Sequence, residues 1–260
     1  MRVGMPTDIL RPRNTSAFLN YAAFAESKGT SIATDAGVSV RGALFRMGGG
    51  RDASGRYFRA ASHLTIDNAA QLVRWDVGDT IAAGGLAAMT RPVLGVSVSR
   101  ELGIDPYFVC YTPLTLNGSA SSPSVAEVYV NGQLVGRERI APGAFTLSGL
   151  PVTVGAGQAE IVLRDAFGRE ERLASNFYEP ASLLRPGLHE FHYAAGVARD
   201  ESRVWRYRGF AASASHRVGI NERLTLGASA NIAPDAASVE PAIATRVPIG
   251  EVDLRVSAAR

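Results

Sequence analysis

The chain has almost no cysteine, almost no lysine and no long apolar run. Cys110 is the single cysteine among 260 residues, so no intrachain disulfide can form and redox chemistry says nothing about compartment. Its apolar neighbours Phe108 and Val109 point to a packed thiol. Lys28 is the one lysine, and the 27 basic and 24 acidic side chains are spread along the whole length without a Lys/Arg block. A chain of that kind lacks the block that tracks phosphates, so nucleic acid is not expected as a partner. No stretch of about eighteen consecutive apolar residues occurs, which excludes a conventional transmembrane helix but leaves a membrane β-barrel open. Met1 to Asn14 carries Arg2, Asp8, Arg11 and Arg13 with Pro6 and Pro12, and lacks the apolar centre of a signal peptide. A helical period is missing too: no segment holds one over ten residues, the best candidate being the short Asp67 to Gln71.

What is present is alternation. A hydrophobic content of 46% is enough to bury a core. Ser16 to Ser27 and Val38 to Arg46 read as strands, and the cluster Gly48-Gly49-Gly50-Arg51-Asp52 reads as the hairpin loop that ends the second. Arg56 to Ile66 sets Phe58, Ala60, Ser62, Leu64 and Ile66 against Tyr57, Arg59, Ala61, His63 and Thr65, and Gln71 to Val77 repeats the pattern with Val73, Trp75 and Val77 against Leu72, Arg74 and Asp76. In a membrane barrel the apolar set faces lipid and the polar set the lumen. In a soluble sandwich Trp75 and Tyr57 would be core, and the residues alone leave both readings open. Val93 to Arg100 alternates Leu94, Val96 and Val98 with Gly95, Ser97 and Ser99; small residues on one face invite a close backbone approach, here expected from the insert described next. Five short strands follow between Leu188 and Ala258, the last opposing Val252, Leu254 and Val256 to Glu251, Asp253, Arg255 and Ser257. The chain is therefore expected to be all-β.

Between these two sets lies a stretch of different character, Val125 to Tyr178. Asn131-Gly132 separates two alternating runs, and a type I′ turn needs positive φ at both central residues, which Asn and Gly tolerate. Pro142-Gly143 supplies a type II turn, after which Phe145 and Leu147 resume the alternation. A third run reverses at Asp165-Ala166-Phe167-Gly168, giving four or more strands, enough for a small β-sandwich. Its expected core is Val128, Val130, Leu134, Phe145, Leu147, Ile161, Leu163 and Leu173.

Catalytic chemistry finds little support. His189-Glu190-Phe191-His192 has the wrong spacing for a helical zinc motif, since residues three apart on a strand point to opposite sides. There is no Gly-x-Ser-x-Gly elbow, the glycine cluster at 48 to 50 lacks the Lys and Ser/Thr of a phosphate cradle, and Asp165 with Glu170 and Glu171 reads as a solvated hairpin tip and not a calcium loop. No enzyme activity, cofactor, metal or small-molecule substrate is expected.

Val-Tyr-Val-Asn-Gly at 128 to 132, Pro142-Gly143-Ala144-Phe145, Asp165-Ala166-Phe167-Gly168-Arg169 and Leu183-Leu184-Arg185-Pro186-Gly187-Leu188, in this order and spacing, resemble the middle of a fimbrial outer-membrane usher of the bacterial chaperone-usher pathway. Leu19-Asn20-Tyr21, Gly78-Asp79-Thr80 and Asp105-Pro106-Tyr107 extend the resemblance towards the start of the chain. Ala144 stands where the family often has a second proline. The resemblance implies part of an antiparallel transmembrane β-barrel with an inserted β-sandwich plug: barrel strands over 1–118, plug over 119–180, and further barrel strands over 181–260. It implies a bacterial outer-membrane location in contact with lipid. It also implies a pore that receives subunits from periplasmic chaperone-pilin complexes, assembles them by strand exchange and secretes the fibre. An exported protein needs a signal peptide, so the resemblance implies chain preceding Met1.

The expected plug hairpin and turn residues are Asn131, Gly132, Pro142, Gly143, Phe145, Asp165 and Gly168. Its expected tethers are the turn-rich stretches carrying Asn117, Gly118 and Pro123 on one side and Pro180, Pro186 and Gly187 on the other. The charged residues Arg137, Glu138, Arg139, Arg169, Glu170, Glu171 and Arg172 are expected to meet the polar lumen wall through weak exposed ion pairs. Two competing readings remain. A soluble multi-sandwich adhesin or fibre-subunit binding module needs a consistently buried face in every strand. A β-sandwich carbohydrate enzyme needs paired carboxylates flanked by exposed aromatics, for which two tryptophans give little material.

Overall fold

The computed structural model describes residues 14–27, 29–83, 90–105, 108, 110, 114–150, 152, 154–165, 167–179, 182–200, 204–247 and 250–260. The expectations for Met1 to Arg13, and those for Pro106, Tyr107, Ala166 and Pro180, lie outside the described residues. Nineteen strands are described, with one 3₁₀ turn at Leu102–Ile104. Before the insert come β1 (Ser16–Glu26), β2 (Gly29–Val40), β3 (Ala43–Arg51), β4 (Tyr57–Arg59), β5 (His63–Asn68), β6 (Val73–Ala82) and β7 (Arg91–Arg100). The insert contains β8 (Leu114–Ala120), β9 (Ser124–Val130), β10 (Gln133–Ile140), β11 (Gly143–Leu150), β12 (Gly155–Asp165) and β13 (Glu170–Glu179). After it come β14 (His189–Arg199), β15 (Tyr207–Asn221), β16 (Leu224–Ala233), β17 (Ala236–Val247), β18 (Gly250–Arg255) and β19 (Ala258–Ala259).

The outer strands form one antiparallel sheet of thirteen, in the order β1-β2-β3-β5-β6-β7-β14-β15-β16-β17-β18, with β4 on β3 and β19 on β17. Among the described residues this sheet is open, its path ending on β1 and β18. Period-2 alternation gives it two unlike faces. Leu64, Ile66, Trp75, Val77, Val96 and Val98 meet in register on one face, where Trp75, Val77 and Val96 are 46%, 45% and 43% exposed. The opposite face carries Thr65, Asp76, Ser97, Ser213 and Ser229, and Thr65 donates to Asp76 at 2.5 Å. Ser97, Ser213 and Ser229 are buried although small and polar. Large apolar side chains outside and small polar ones inside is the inverse of a soluble sandwich, and it removes the option that Trp75 and Tyr57 are core.

Two expectations about glycines are corrected. Gly48, Gly49 and Gly50 are not a loop but lie within β3, paired with Asp35, Thr34 and Ala33. A Cβ at Gly50 would strike the Ile32 carbonyl and stand 2.7 Å from the Phe58 ring, so the glycines make room for a neighbouring strand. The loop falls at Asp52 to Arg56 instead. Gly95 does admit a close backbone, but that of β14 and not of the insert: Gly78, Gly95 and Gly196 align across β6, β7 and β14, and a Cβ on Gly95 would run into the Ala195 carbonyl.

The insert is a two-layer sandwich, with β10-β9-β12-β13 in one sheet and β11-β8 in the other. Val128, Val130, Leu147, Ile161 and Leu163 are buried between them, and Phe145 and Leu173 pack against this core. Leu134, expected inside, is 50% exposed. The register between β10 and β9 shifts between Leu134 and Gly136, so Val135 is an extra residue opposite β9. A β-bulge reverses the alternation phase, which turns Val135 towards the core in place of Leu134.

This geometry predicts opposite outcomes for two truncations. Ile161→Ala removes a buried side chain and should destabilise the sandwich by about 2–5 kcal/mol, whereas Leu134→Ala should stay within about 0.5 kcal/mol. Native-state hydrogen exchange of the β9 and β12 amides reads both.

Candidate functional site

The site is the junction where the sandwich leaves and re-enters the large sheet. β7 and β14 pair directly, from Ser99 opposite His192 to Val93 opposite Ala198, although the whole insert separates them in sequence. The leading tether therefore departs from the end of β7 beside the start of β14, where the trailing tether arrives.

The sequence placed Asn117 and Gly118 in the leading tether, and the structure does not. Both belong to β8, opposite Thr146 and Phe145. Thr115, Asn117 and Ser119 alternate with Leu114, Leu116, Gly118 and Ala120, a strand period hidden beneath a linker-like composition. Pro123 lies in the bend between β8 and β9. The described part of the leading tether is instead the 3₁₀ turn, capped by Glu101 accepting from the Gly103 amide, followed by Phe108 and Cys110.

Pro186 and Gly187 lie in the connection between β13 and β14. Arg185 to Leu188 forms a turn closed by the Leu188 amide on the Arg185 carbonyl at 2.9 Å. Proline fixes φ at its second position, and Gly187 takes φ +75° at its third. The two tethers are clasped: the Arg185 amide donates to the Cys110 carbonyl at 2.9 Å, and the Arg185 guanidinium lies 5.3 Å from the Phe108 ring centre.

The trailing tether is also fastened to the polar face of the large sheet. The Leu184 amide donates to Thr225 Oγ1 at 2.9 Å and the Ser182 amide to Glu251 Oε1 at 3.1 Å. Arg217 donates to the Ser182 carbonyl and pairs with Glu190 at 2.8 Å. The Gly187 amide donates to the Gly219 carbonyl, and the Gly219 amide to that of Leu188. At the end of β13, Glu179 pairs with Arg246 at 3.0 Å. Burial pushes the Glu179 carboxyl up, against the pull of Arg246, with a further push from Glu251. Sequence reasoning missed Glu179, Arg217, Thr225, Arg246 and Glu251. Their one signal was that Arg217, Arg246 and Glu251 occupy polar phases of otherwise apolar strands.

The predicted turn residues hold the sandwich together. Asn131 and Gly132 have φ +49° and +80°, as the type I′ turn requires. Asn131 also ties β12, its amide donating to the Gln158 carbonyl and its Oδ1 accepting from the Gln158 amide at 3.0 Å. Gly143 takes φ +114° next to Pro142, and Phe145 packs on the core. Gly168 has φ +81°. Asp165 accepts from the Phe167 and Arg169 amides and from Arg169 Nε, and the Arg169 amide foremost, opposed by desolvation, holds its carboxyl below the usual range. The loop Asp52 to Arg56 repeats this clasp in the large sheet, Asp52 accepting from the Ser54 and Arg56 amides and from Arg56 Nε. There the Ser54 hydroxyl first, then Arg56, hold the carboxyl down to about 2.

Of the seven charged residues expected at the lumen wall, Arg137, Arg169, Glu170 and Arg172 pair within the sandwich. Arg137 bonds Glu127, Arg169 bonds Asp165, Arg172 bonds Glu160 and Glu170, and Glu170 also meets Arg164. Glu138, Arg139 and Glu171 are exposed on its surface. These paired side chains find opposite charges within the sandwich; among the described residues the ion pair that reaches the large sheet is Glu179 with Arg246. His189 and His192 lie on opposite sides of β14, His189 bonding His216 and His192 the Ile81 carbonyl.

An antiparallel sheet with an apolar outer face, a polar inner face and a folded insert between adjacent strands has the form of an outer-membrane barrel segment. Residues 91–260, well over half of the chain, match the family described as outer membrane usher protein. The outer membrane usher protein FaeD of Escherichia coli is 32% identical over 152 residues, covering 58% of this chain and 18% of FaeD. The F1 capsule-anchoring protein of Yersinia pestis is 23% identical over 135 residues, covering 52% of this chain and 16% of that protein. The cryo-EM structure of the E. coli P pilus tip assembly intermediate PapC-PapD-PapK-PapG contains a chain of similar fold, with TM-score 0.60 at 14% identity, covering 98% of this chain and 34% of that one. The chain belongs to the outer membrane usher family and is an integral outer-membrane protein. The matched stretch spans less than a fifth of the length of either curated relative.

The fastened tether makes a pH-linked prediction. The docked Glu179 carboxyl lies above its ordinary value, so docking takes up protons: the contribution is full below the free carboxyl pKa and is lost as pH rises through the docked one. Arg246→Ala removes the opposing cation, raises the docked pKa further and weakens docking by about 1.5–3 kcal/mol. Exchange of the 182–188 amides, corrected for intrinsic rates, should accelerate in the variant, more at pH 8 than at pH 5. Equal acceleration at both would show that Glu179 is not the linked group.

Proposed function

We propose that the chain is part of an usher pore that assembles and secretes chaperone-delivered pilus subunits, and that residues 114–179 are the plug gating it. The pore is not an enzyme and needs no cofactor; strand addition between subunits supplies the driving force. The observation that carries the reading is the direct pairing of β7 with β14 across the insert. A domain placed there can move without opening the wall of the barrel. The relatives named as ushers and the pilus assembly intermediate support the partner class. The soluble-adhesin alternative is disfavoured by the apolar outer face carrying Trp75, Val77 and Val96.

The tether geometry alters how such gating works. Because the trailing tether is fastened along β15 to β18 and the leading one clasped to it, release requires breaking the Arg217, Thr225, Arg246 and Glu251 contacts, and not merely weak ion pairs of the sandwich surface.

Two results test the proposal in the intact usher. Deleting residues 114–179 should raise ion conductance and sensitivity to large antibiotics while barrel insertion persists; unchanged conductance in a correctly inserted mutant would refute gating. Val96→Arg places a cation on the lipid face and should cost about 2–4 kcal/mol near the bilayer midplane, measured by denaturant unfolding from vesicles; an unchanged unfolding free energy would refute a lipid-facing Val96.

A further inference from the structure

The sandwich is closed on one side and open on the other. On the closed side β10 turns through Pro142 and Gly143 into β11, joining the two sheets. On the open side the four-stranded sheet ends in β13 and the two-stranded sheet in β8, and neither edge is paired among the described residues. Between them runs a groove of about 900 Å³, lined by Thr115 to Ser119 of β8, Glu171 to Ser175 of β13, and Ile161 at its floor. Five consecutive residues of each strand line it. A strand presents alternate residues when its face lines a groove and consecutive residues when its edge does, so unpaired backbone amides and carbonyls lie along both walls. Leu173 is the partly buried apolar side chain in the groove, beside Leu116 and Ile161, which the sandwich core already buries. Gly118 leaves the β8 wall low, since a Cβ there would meet Phe145 and stand 3.1 Å from Leu173.

We propose that this groove accepts an extended segment of a delivered subunit as an added strand, pairing with the β8 edge and completing the smaller sheet. Backbone hydrogen bonds give affinity in such strand addition, and alternate side chains give specificity. The segment must turn an apolar residue towards the partly buried Leu173, with its alternate positions facing away. It must carry a basic residue near the end that meets Glu171, which is exposed at the groove and has no ion-pair partner among the described residues. Glu170 and Arg172 beside it are already paired. The inference rests on the plug reading for the identity of its partner. It gives the plug a second role, that of holding a subunit segment in strand conformation once the plug is displaced.

The test uses the full chain in detergent and a short peptide of alternating valine and threonine ending in arginine. Expected are saturable binding, new exchange protection at 115–119 and 171–175, and loss of binding when alternate peptide amides are N-methylated, which removes main-chain donors without touching the protein. Glu171→Arg should weaken the arginine peptide by about two- to fivefold, the factor for one exposed ion pair, and strengthen a glutamate-ended peptide by a similar factor. Binding unaffected by N-methylation, protection elsewhere than these edges, or pairing of two copies through them in place of peptide uptake would overturn the proposal. Conductance of the deletion mutant reports on gating independently, so failure of one reading is distinguishable from failure of the other.

Discussion

The pairing of β7 with β14 is the constraint on which the rest depends. Closing a flexible excursion of this length costs about 4 kcal/mol of chain entropy by logarithmic scaling, before any strand hydrogen bond compensates. The insert lowers that cost by folding so that its ends return to one place: Arg185 meets Cys110 and Phe108 where the chain left the sheet. The sandwich core and the continuity of the large sheet are thus coupled, and the aligned Gly78, Gly95 and Gly196 let the strands at the junction approach closely.

Mechanical consequences follow from where polar contacts fall. The sandwich uses its own charges internally, in pairs such as Arg137 with Glu127 and Arg172 with Glu160, and is joined to the large sheet through Glu179 and the Ser182 to Leu188 stretch. A domain attached that way behaves as a body on a single clasped stalk. Motion is then governed by a few loop residues that absorb dihedral change, and by the polar wall that grips them.

Much of this was legible in the sequence because alternation is a local property. The Asn131-Gly132 turn, the buried Val128, Ile161 and Leu163, and the opposed faces of β6 and β18 all follow from period 2 and turn chemistry. What was not legible depends on neighbours distant in sequence. The bulge that swaps Val135 for Leu134 is set by pairing with β9. The glycines of β3 are explained by Phe58 on the adjoining strand. Composition misled at Asn117 and Gly118, where small polar residues suggested a linker and a strand formed. The trailing-tether contacts, joining Ser182 to Glu251 and Leu184 to Thr225 across tens of residues, leave no local trace.

In the gating proposed above, the trailing tether keeps the pore shut while it is held against the polar wall. Planar-bilayer conductance tests this in the intact usher with Ser182 and Glu251 replaced by cysteine, Cys110 replaced by serine, and the new pair bridged by a short bifunctional maleimide. The bridged protein should remain silent where the unbridged one shows bursts of large conductance. Bursts of equal size and frequency in both would contradict the account.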